Sequence, residues 1–226
     1  MGEIRLQWWR DALGLPPELR TGHVVADAVR KAAQSHQLPA DLLEAMIDAR
    51  SLLLDNTSPL TEDGFRGFLW KAEGSLFALG ARVVGLPASA QVHASCVAAG
   101  QAYGLIRLLL ELPRMLARGR IPLAKVQLDS AGLSAEELLT GASGGAKIEA
   151  LLGECSAQIR RNLDVARQFT ATLPRASRLA FLPLALVEPY LRALERSGGA
   201  LLREEARIAP FTRVCRIAAA HLFGRL

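Results

Sequence analysis

Residues 89–126, SAQVHASCVAAGQAYGLIRLLLELPRMLARGRIPLAKV, constrain the fold more than any other stretch. The segment is rich in Ala and Leu and meets no proline until Pro113. Val92, Cys96, Ala99, Tyr103, Ile106 and Leu110 recur at the three-and-four spacing of a buried helical stripe. Beside that stripe run Gly104, Arg107, Glu111, Met115 and Arg118, which follow the same spacing and project together. This predicts one long central helix with an apolar face toward the core and a second, polar face on which function would be read.

The rest of the composition agrees with a helical chain. Of 226 residues, 50% are hydrophobic, enough for a sizeable core and most simply for one domain over 1–226. Aromatic residues are 5% of the total, and the abundance of Ala and Leu favours helices over strands, so an all-α fold is expected. A net charge of +5 permits attraction to anionic lipid, diphosphate or nucleic acid without distinguishing them, and nucleic acid is not expected as a partner. Cys96, Cys155 and Cys215 are odd in number and far apart, which suggests neither a disulfide framework nor a zinc site and fits a reducing cytosol. Charged Glu3, Arg5, Arg10 and Asp11 occupy the first turns in place of an apolar signal core, and no apolar run reaches the roughly 18 residues of a membrane span, so neither secretion nor membrane spanning is expected.

Taken in order, residues 2–13 read as a helix closed by Gly14-Leu15-Pro16-Pro17. Residues 21–37 give a second helix with Val25, Ala28, Val29 and Ala32 inward, and His23 is expected to cap or pack. A third starts at Leu38-Pro39 with Leu42, Met46, Ala49 and Leu53 on one face. Residues 56–59 form a break. A helix over 61–84 follows, with Gly74 and Gly80 inside it as signs of close helix approach or a cavity wall. Pro113 should kink or end the central helix. The residues from Arg118 through Leu128 read as a turn and irregular chain, and Ser134-Ala135-Glu136-Glu137 opens a short helix. A long amphipathic helix covers 146–173, and a broken or kinked one with Pro183 and Pro189 covers 175–196. Residues 211–223 are apolar with Arg213 and Arg216; they could pack or lie on a membrane surface, and packing is the expectation for so modest a charge.

Spacing alone locates no Ser/His/Asp, metal-ligand or dinucleotide constellation. The loop GASGGAK is no phosphate-binding P-loop, because its spacing is wrong and Lys147 is followed by Ile148.

Two motifs carry a family resemblance. Residues 100–124, GQAYGLIRLLLELPRMLARGRIPLA, resemble the late helix of squalene/phytoene synthase-like proteins, roughly GQAFQLTNILRDxxEDxxRGRIYLP. Residues 2–13, GEIRLQWWRDAL, resemble the segment after the first Asp-rich helix of that family, especially in the branch with a mitochondrial complex I assembly factor and its bacterial relatives. The resemblance implies an isoprenoid synthase-type helical bundle that lacks the N-terminal helices bearing the first Asp-rich motif. It also implies that Asp48, Gly74, Gln101, Tyr103, Gly104 and Met115 line a cavity. In the family, Asn and Asp at i, i+4 and i+8 of the late helix hold diphosphate through magnesium. Here Arg107, Glu111 and Met115 stand in their places, and Arg114 replaces a Glu.

A single carboxylate does not gather several hard cations, so the expected metal ligands are none, and magnesium enters only if the chain is catalytic. Two readings of the cationic face stay open. Arg107, Arg114, Arg118 and Arg120, with Glu111 in the same candidate site, could bind diphosphate or a phosphate-bearing lipid directly through the guanidinium forks of the arginines. Alternatively Arg107 and Glu111 pair and fill a defunct cavity, a contact worth about 0.3–0.5 kcal/mol.

The functional expectation is a non-catalytic scaffold or assembly factor of respiratory complex I type, cytoplasmic or peripheral at the inner membrane, with membrane-enzyme subunits as partners. A head-to-head prenyl-diphosphate transferase of isoprenoid biosynthesis is the alternative, and an isoprenoid- or anionic phospholipid-binding module is a third. A homodimer contact is a further candidate for covering apolar surface near Trp8 and Trp9.

Overall fold

A computed structural model describes residues 2–16, 18–55, 58–203 and 206–224. The expected break at 56–59 falls partly outside them, since Asn56 and Thr57 are not described. Helices α1 (Gly2–Gly14), α2 (Val24–Ser35) and α3 (Ala40–Asp55) come first. They are followed by α4 (Glu62–Leu69), a π turn (Trp70–Gly74) and α5 (Ser75–Val83), and then by the central α6 (Ala90–Leu116). Short α7 (Lys125–Ser130) and α8 (Ala135–Thr140) lead to the long α9 (Gly145–Thr172). A 3₁₀ stretch (Ser177–Leu186), α10 (Val187–Ser197), a second 3₁₀ piece (Gly198–Leu202) and α11 (Pro210–Phe223) complete the chain. The all-α expectation holds: among the described residues the one β feature is an isolated parallel bridge between Leu60 and Ala124.

Helix ends follow local chemistry. Ser89 and Thr61 each accept an N–H bond three residues on, at Val92 and Gly64, and so cap α6 and α4. Ser134 and Glu137 form a reciprocal capping box at α8. His23 caps α2, its Nδ1 accepting from Ala26 N–H at 3.3 Å. That cap sets α2 in an unexpected rotation. Ala26 is buried, whereas Val25 and Ala28, expected inward, face solvent. Arg30 causes part of this by donating to the carbonyls of Leu15, Pro16 and Leu19, which turns its own face onto the α1–α2 connection.

The core gathers around α6, whose Leu105, Ile106, Leu109 and Leu112 are fully enclosed. Burying each such side chain is worth about 1.5–3 kcal/mol, so this stripe anchors the fold. α9 packs along α6, burying Leu151, Cys155, Ile159 and Leu163, and Phe181, Val187, Leu191 and Leu194 are enclosed against both helices. Phe77 stacks on Phe181 with ring centroids 5.8 Å apart, and Tyr103 meets Phe77 edge-on.

Three elements depart from the sequence reading. The single helix expected over 61–84 is broken by the π turn, where Ser75 N–H bonds to the Trp70 carbonyl five residues back. α6 runs one turn beyond Pro113 and ends at Leu116, with Gly119 taking φ +68° in the turn that follows. Residues 125–128, expected to be irregular, belong to α7, where the buried Gln127 side chain accepts from Ala124 N–H and donates to Gln158 on α9. Pro183 lies within the 3₁₀ stretch, as the expected break at that point requires.

Close approach of α6 to the π turn has a measurable consequence. A Cβ on Gly100 would fall against the amide nitrogen of Gly74 and 2.5 Å from its Cα. Gly100→Ala should therefore cost about 3 kcal/mol in urea unfolding, at the upper end of overpacking penalties. Gly153→Ala, mid-helix in α9 with open space around it, should stabilise by about 0.5–1 kcal/mol. Equal effects at the two positions would refute the backbone contact.

Candidate functional site

Gly100 and Gly104 leave a channel along one face of α6 in which the π turn lies. The extra residue of the π turn directs Glu73 into that channel, over Gly104, where its residue exposure falls to 4%. One turn on, Arg107 Nη1 donates to Glu73 Oε1 at 2.9 Å, and Nη2 donates to Glu111 Oε1 at 3.2 Å. One guanidinium thus spans two carboxylates from two elements, leaving a cavity of about 20 Å³ bounded also by Arg50 and Leu53 of α3.

Burial pushes the Glu73 carboxyl above its ordinary value, with Arg107 and Arg50 pulling the other way. Its second oxygen, Oε2, is enclosed and has no hydrogen-bond partner among the described residues. For Arg107 burial acts to lower the pKa, but Glu73 and Glu111 outweigh it and hold the group charged. The Tyr103 phenol is also raised by burial.

Most of the other predicted positions do not join this cluster. Gly104 forms its floor. Gly74 lies against the Trp70 ring, and Gln101 and Tyr103 are half-buried, Tyr103 against Phe77. Met115 is buried in the core, so it faces packing and not a cavity. Asp48 faces a separate groove of about 600 Å³, where it pairs with Arg10 at 3.1 Å and Lys71 at 3.5 Å. Arg114 is exposed beside Glu111 in a groove of about 620 Å³ shared with Tyr190 and Arg213. Arg118 and Arg120 lie past the end of α6. Roughly 16 Å of helical rise separates Arg118 from Arg107, too far to share one small anion. The stripe expected to project as a unit therefore splits after Glu111.

Glu73 is the member that sequence reading missed. An isolated Glu has no spacing signature, and its inward aim arises from the π turn.

These residues do not fit a magnesium cluster. Such a site needs several converging oxygens around near-octahedral ions. Here the Arg107 fork takes one oxygen of each carboxylate, and the space beside them is about one water in size. No group of three or more His, Cys, Asp or Glu suited to a metal occurs among the described residues.

The same architecture occurs in a dehydrosqualene synthase solved with ligand, with a TM-score of 0.79 at 14% identity over 98% of this chain and 78% of that one. It also occurs in squalene synthase HpnC from Alicyclobacillus acidocaldarius, with a TM-score of 0.72 at 16% identity over 87% of this chain and 73% of the other. The class is therefore an all-helical, isoprenoid synthase-type fold. The squalene/phytoene synthase family model matches residues 1–212, and the chain belongs to that family. Among curated relatives it is 26% identical over 203 residues to NADH dehydrogenase (ubiquinone) complex I, assembly factor 6, of Mus musculus, and 25% identical to that of Bos taurus. The match takes in 87% of this chain and spans 59% of each relative's length.

The raised Glu73 carboxyl sets a pH dependence. Its proton is held more tightly in the folded chain than at the ordinary value of 4.5. The associated stabilisation is full below that value and is lost as pH rises through the folded one. In urea unfolding, the stability of the native protein minus that of Glu73→Gln should fall as pH rises above the ordinary value of 4.5. A difference that stays flat or rises would mean Glu73 is not desolvated.

Proposed function

We propose that this chain is a non-catalytic member of its family, one domain over residues 1–226, that acts as a scaffold or assembly factor for a membrane enzyme of the respiratory complex I type. The observation that carries the reading is Arg107, fixed between Glu73 and Glu111 at the position where the family's late helix presents an ion-binding side chain. A permanent guanidinium there balances the local carboxylates without a bound cation, so no magnesium requirement is expected. The assembly role takes its support from the likeness to the mammalian assembly factors. Its partners on this reading are subunits of the client enzyme, met at the inner membrane from its surface. No helix among the described residues is long and apolar enough to cross a membrane.

Two measurements test the two halves separately. Purified protein incubated with farnesyl or geranylgeranyl diphosphate and magnesium should release pyrophosphate no faster than buffer; sustained release would establish a transferase and end the non-catalytic reading. Deleting the coding gene in its host should lower the amount of assembled membrane NADH dehydrogenase on native gels. An unchanged amount would remove the assembly role.

A further inference from the structure

α11 is an amphipathic helix mounted with its apolar side outward. Its one buried residue is Ala220. Arg175 Nε donates to the His221 carbonyl and Arg178 Nη1 to that of Gly224, which pins the C-terminal end to the body. On the opposite side Phe211, Val214, Cys215, Ala218 and Leu222 recur at helical spacing and are all exposed, Phe211 at 79%. Phe223, 75% exposed, extends the apolar surface along one flank.

The charge on the segment itself has one sign. Residues 206–226 hold Arg207, Arg213, Arg216 and Arg225 and no Asp or Glu. Arg213 and Arg216 make no ion pair among the described residues and project from the same side of the helix as Ala220, into two separate grooves. The larger groove, about 800 Å³, also contains Arg160, Arg167 and Arg192. Glu188 engages Arg160 and Arg192, but Arg167 reaches Asp164 only at 3.9 Å, and its Nε is enclosed with no hydrogen-bond partner. The larger groove therefore keeps arginine charge that its own acids do not balance, and Arg213 adds a further cation in the smaller one.

We infer that α11 docks this protein onto an anionic lipid bilayer, the apolar stripe seated at the acyl boundary and the arginines of its opposite side at the level of the lipid phosphates. The dimensions agree. A helix is about 10–12 Å across and an in-plane helix sinks its apolar side by about 5–10 Å, so cations on the far side lie among the headgroups. With 14 residues α11 lies on the surface, since a span takes about 20. Charge selects the occupant: a second copy would bring one acid-free arginine segment against its twin, whereas an anionic leaflet complements it. This docking is independent of the assembly role and would serve a transferase equally.

Cys215 supplies the probe. It is exposed within the stripe, while Cys96 and Cys155 are buried with thiols pushed up to about 12, so a polarity-sensitive fluorophore attaches selectively at Cys215. With the full chain, the emission should shift to the blue on vesicles of phosphatidylglycerol and phosphatidylethanolamine and stay unchanged on phosphatidylcholine alone. Unlabelled protein should cosediment with the anionic vesicles. The combined Phe211→Ser, Val214→Ser and Leu222→Ser variant should lose that binding with its circular dichroism melt unaltered. Arg213→Ala with Arg216→Ala should weaken binding about thirtyfold, at roughly a leaflet cation's worth per arginine. The inference is overturned if the anionic vesicles are not bound, if neutral vesicles are bound as well, or if the serine variant binds like the native chain. Light scattering that shows a dimer abolished by the serine substitutions, with no vesicle binding, would equally overturn it in favour of a self-association face.

Discussion

Backbone-to-backbone contact between Gly100 of α6 and Gly74 of the π turn is the constraint on which the interior of this molecule depends. No side chain separates the two elements there, so α6 and the α4–α5 unit approach as closely as main chains allow. That approach and the π turn support each other. The widened turn relocates Glu73 by one position, and Gly104, with no side chain of its own, leaves room for the Glu73 stem. Without this seating Glu73 would point elsewhere, and the charged group at the centre of the fold would lose its deepest member.

Electrostatically, the cluster is asymmetric. Glu73 is enclosed, Arg107 retains contact with solvent over about a third of its side chain, and Glu111 lies further out still. A lone carboxylate at the depth of Glu73 would be strongly disfavoured as an anion, and the guanidinium tolerates the position because its planar fork satisfies two acceptors while its outer edge stays wet. In a metal-dependent site an exchangeable ion neutralises such carboxylates, so occupancy follows solution conditions. A covalently attached cation removes that variable, and the positive partner of Glu73 is present whatever ions the solution contains.

Much of the helical framework was legible in the sequence, for reasons that are local. Ser89, Thr61 and Ser134 announce helix starts through their own hydroxyls, and α6 and α9 declare their buried sides through periodicity. The π turn was not legible, because a run such as Trp70–Gly74 has ordinary helical propensity and is widened by contact with a helix that starts 16 residues further on. α7 was hidden for a similar reason: Gln127 stabilises it only by reaching Gln158 across the fold. At the site, Arg107 and Glu111 could be paired from their spacing. Glu73 could not, since its partner is distant in sequence. The outward face of α2 also escaped, because the bonds of Arg30 to three carbonyls outweigh the apolar pattern of Val25 and Ala28.

The small parallel bridge at Leu60 has an effect out of proportion to its size. Leu60 N–H bonds to the Leu123 carbonyl at 3.0 Å, and Lys125 N–H returns to the Leu60 carbonyl at 2.8 Å. These two bonds clasp the chain entering α4 to the chain leaving α6, so that everything carrying Glu73, Arg107 and Glu111 lies within one closed loop. Fraying from either terminus meets this clasp before it enters the loop. Its amides are set to exchange with solvent as a block, in a subglobal opening that must first release the clasp.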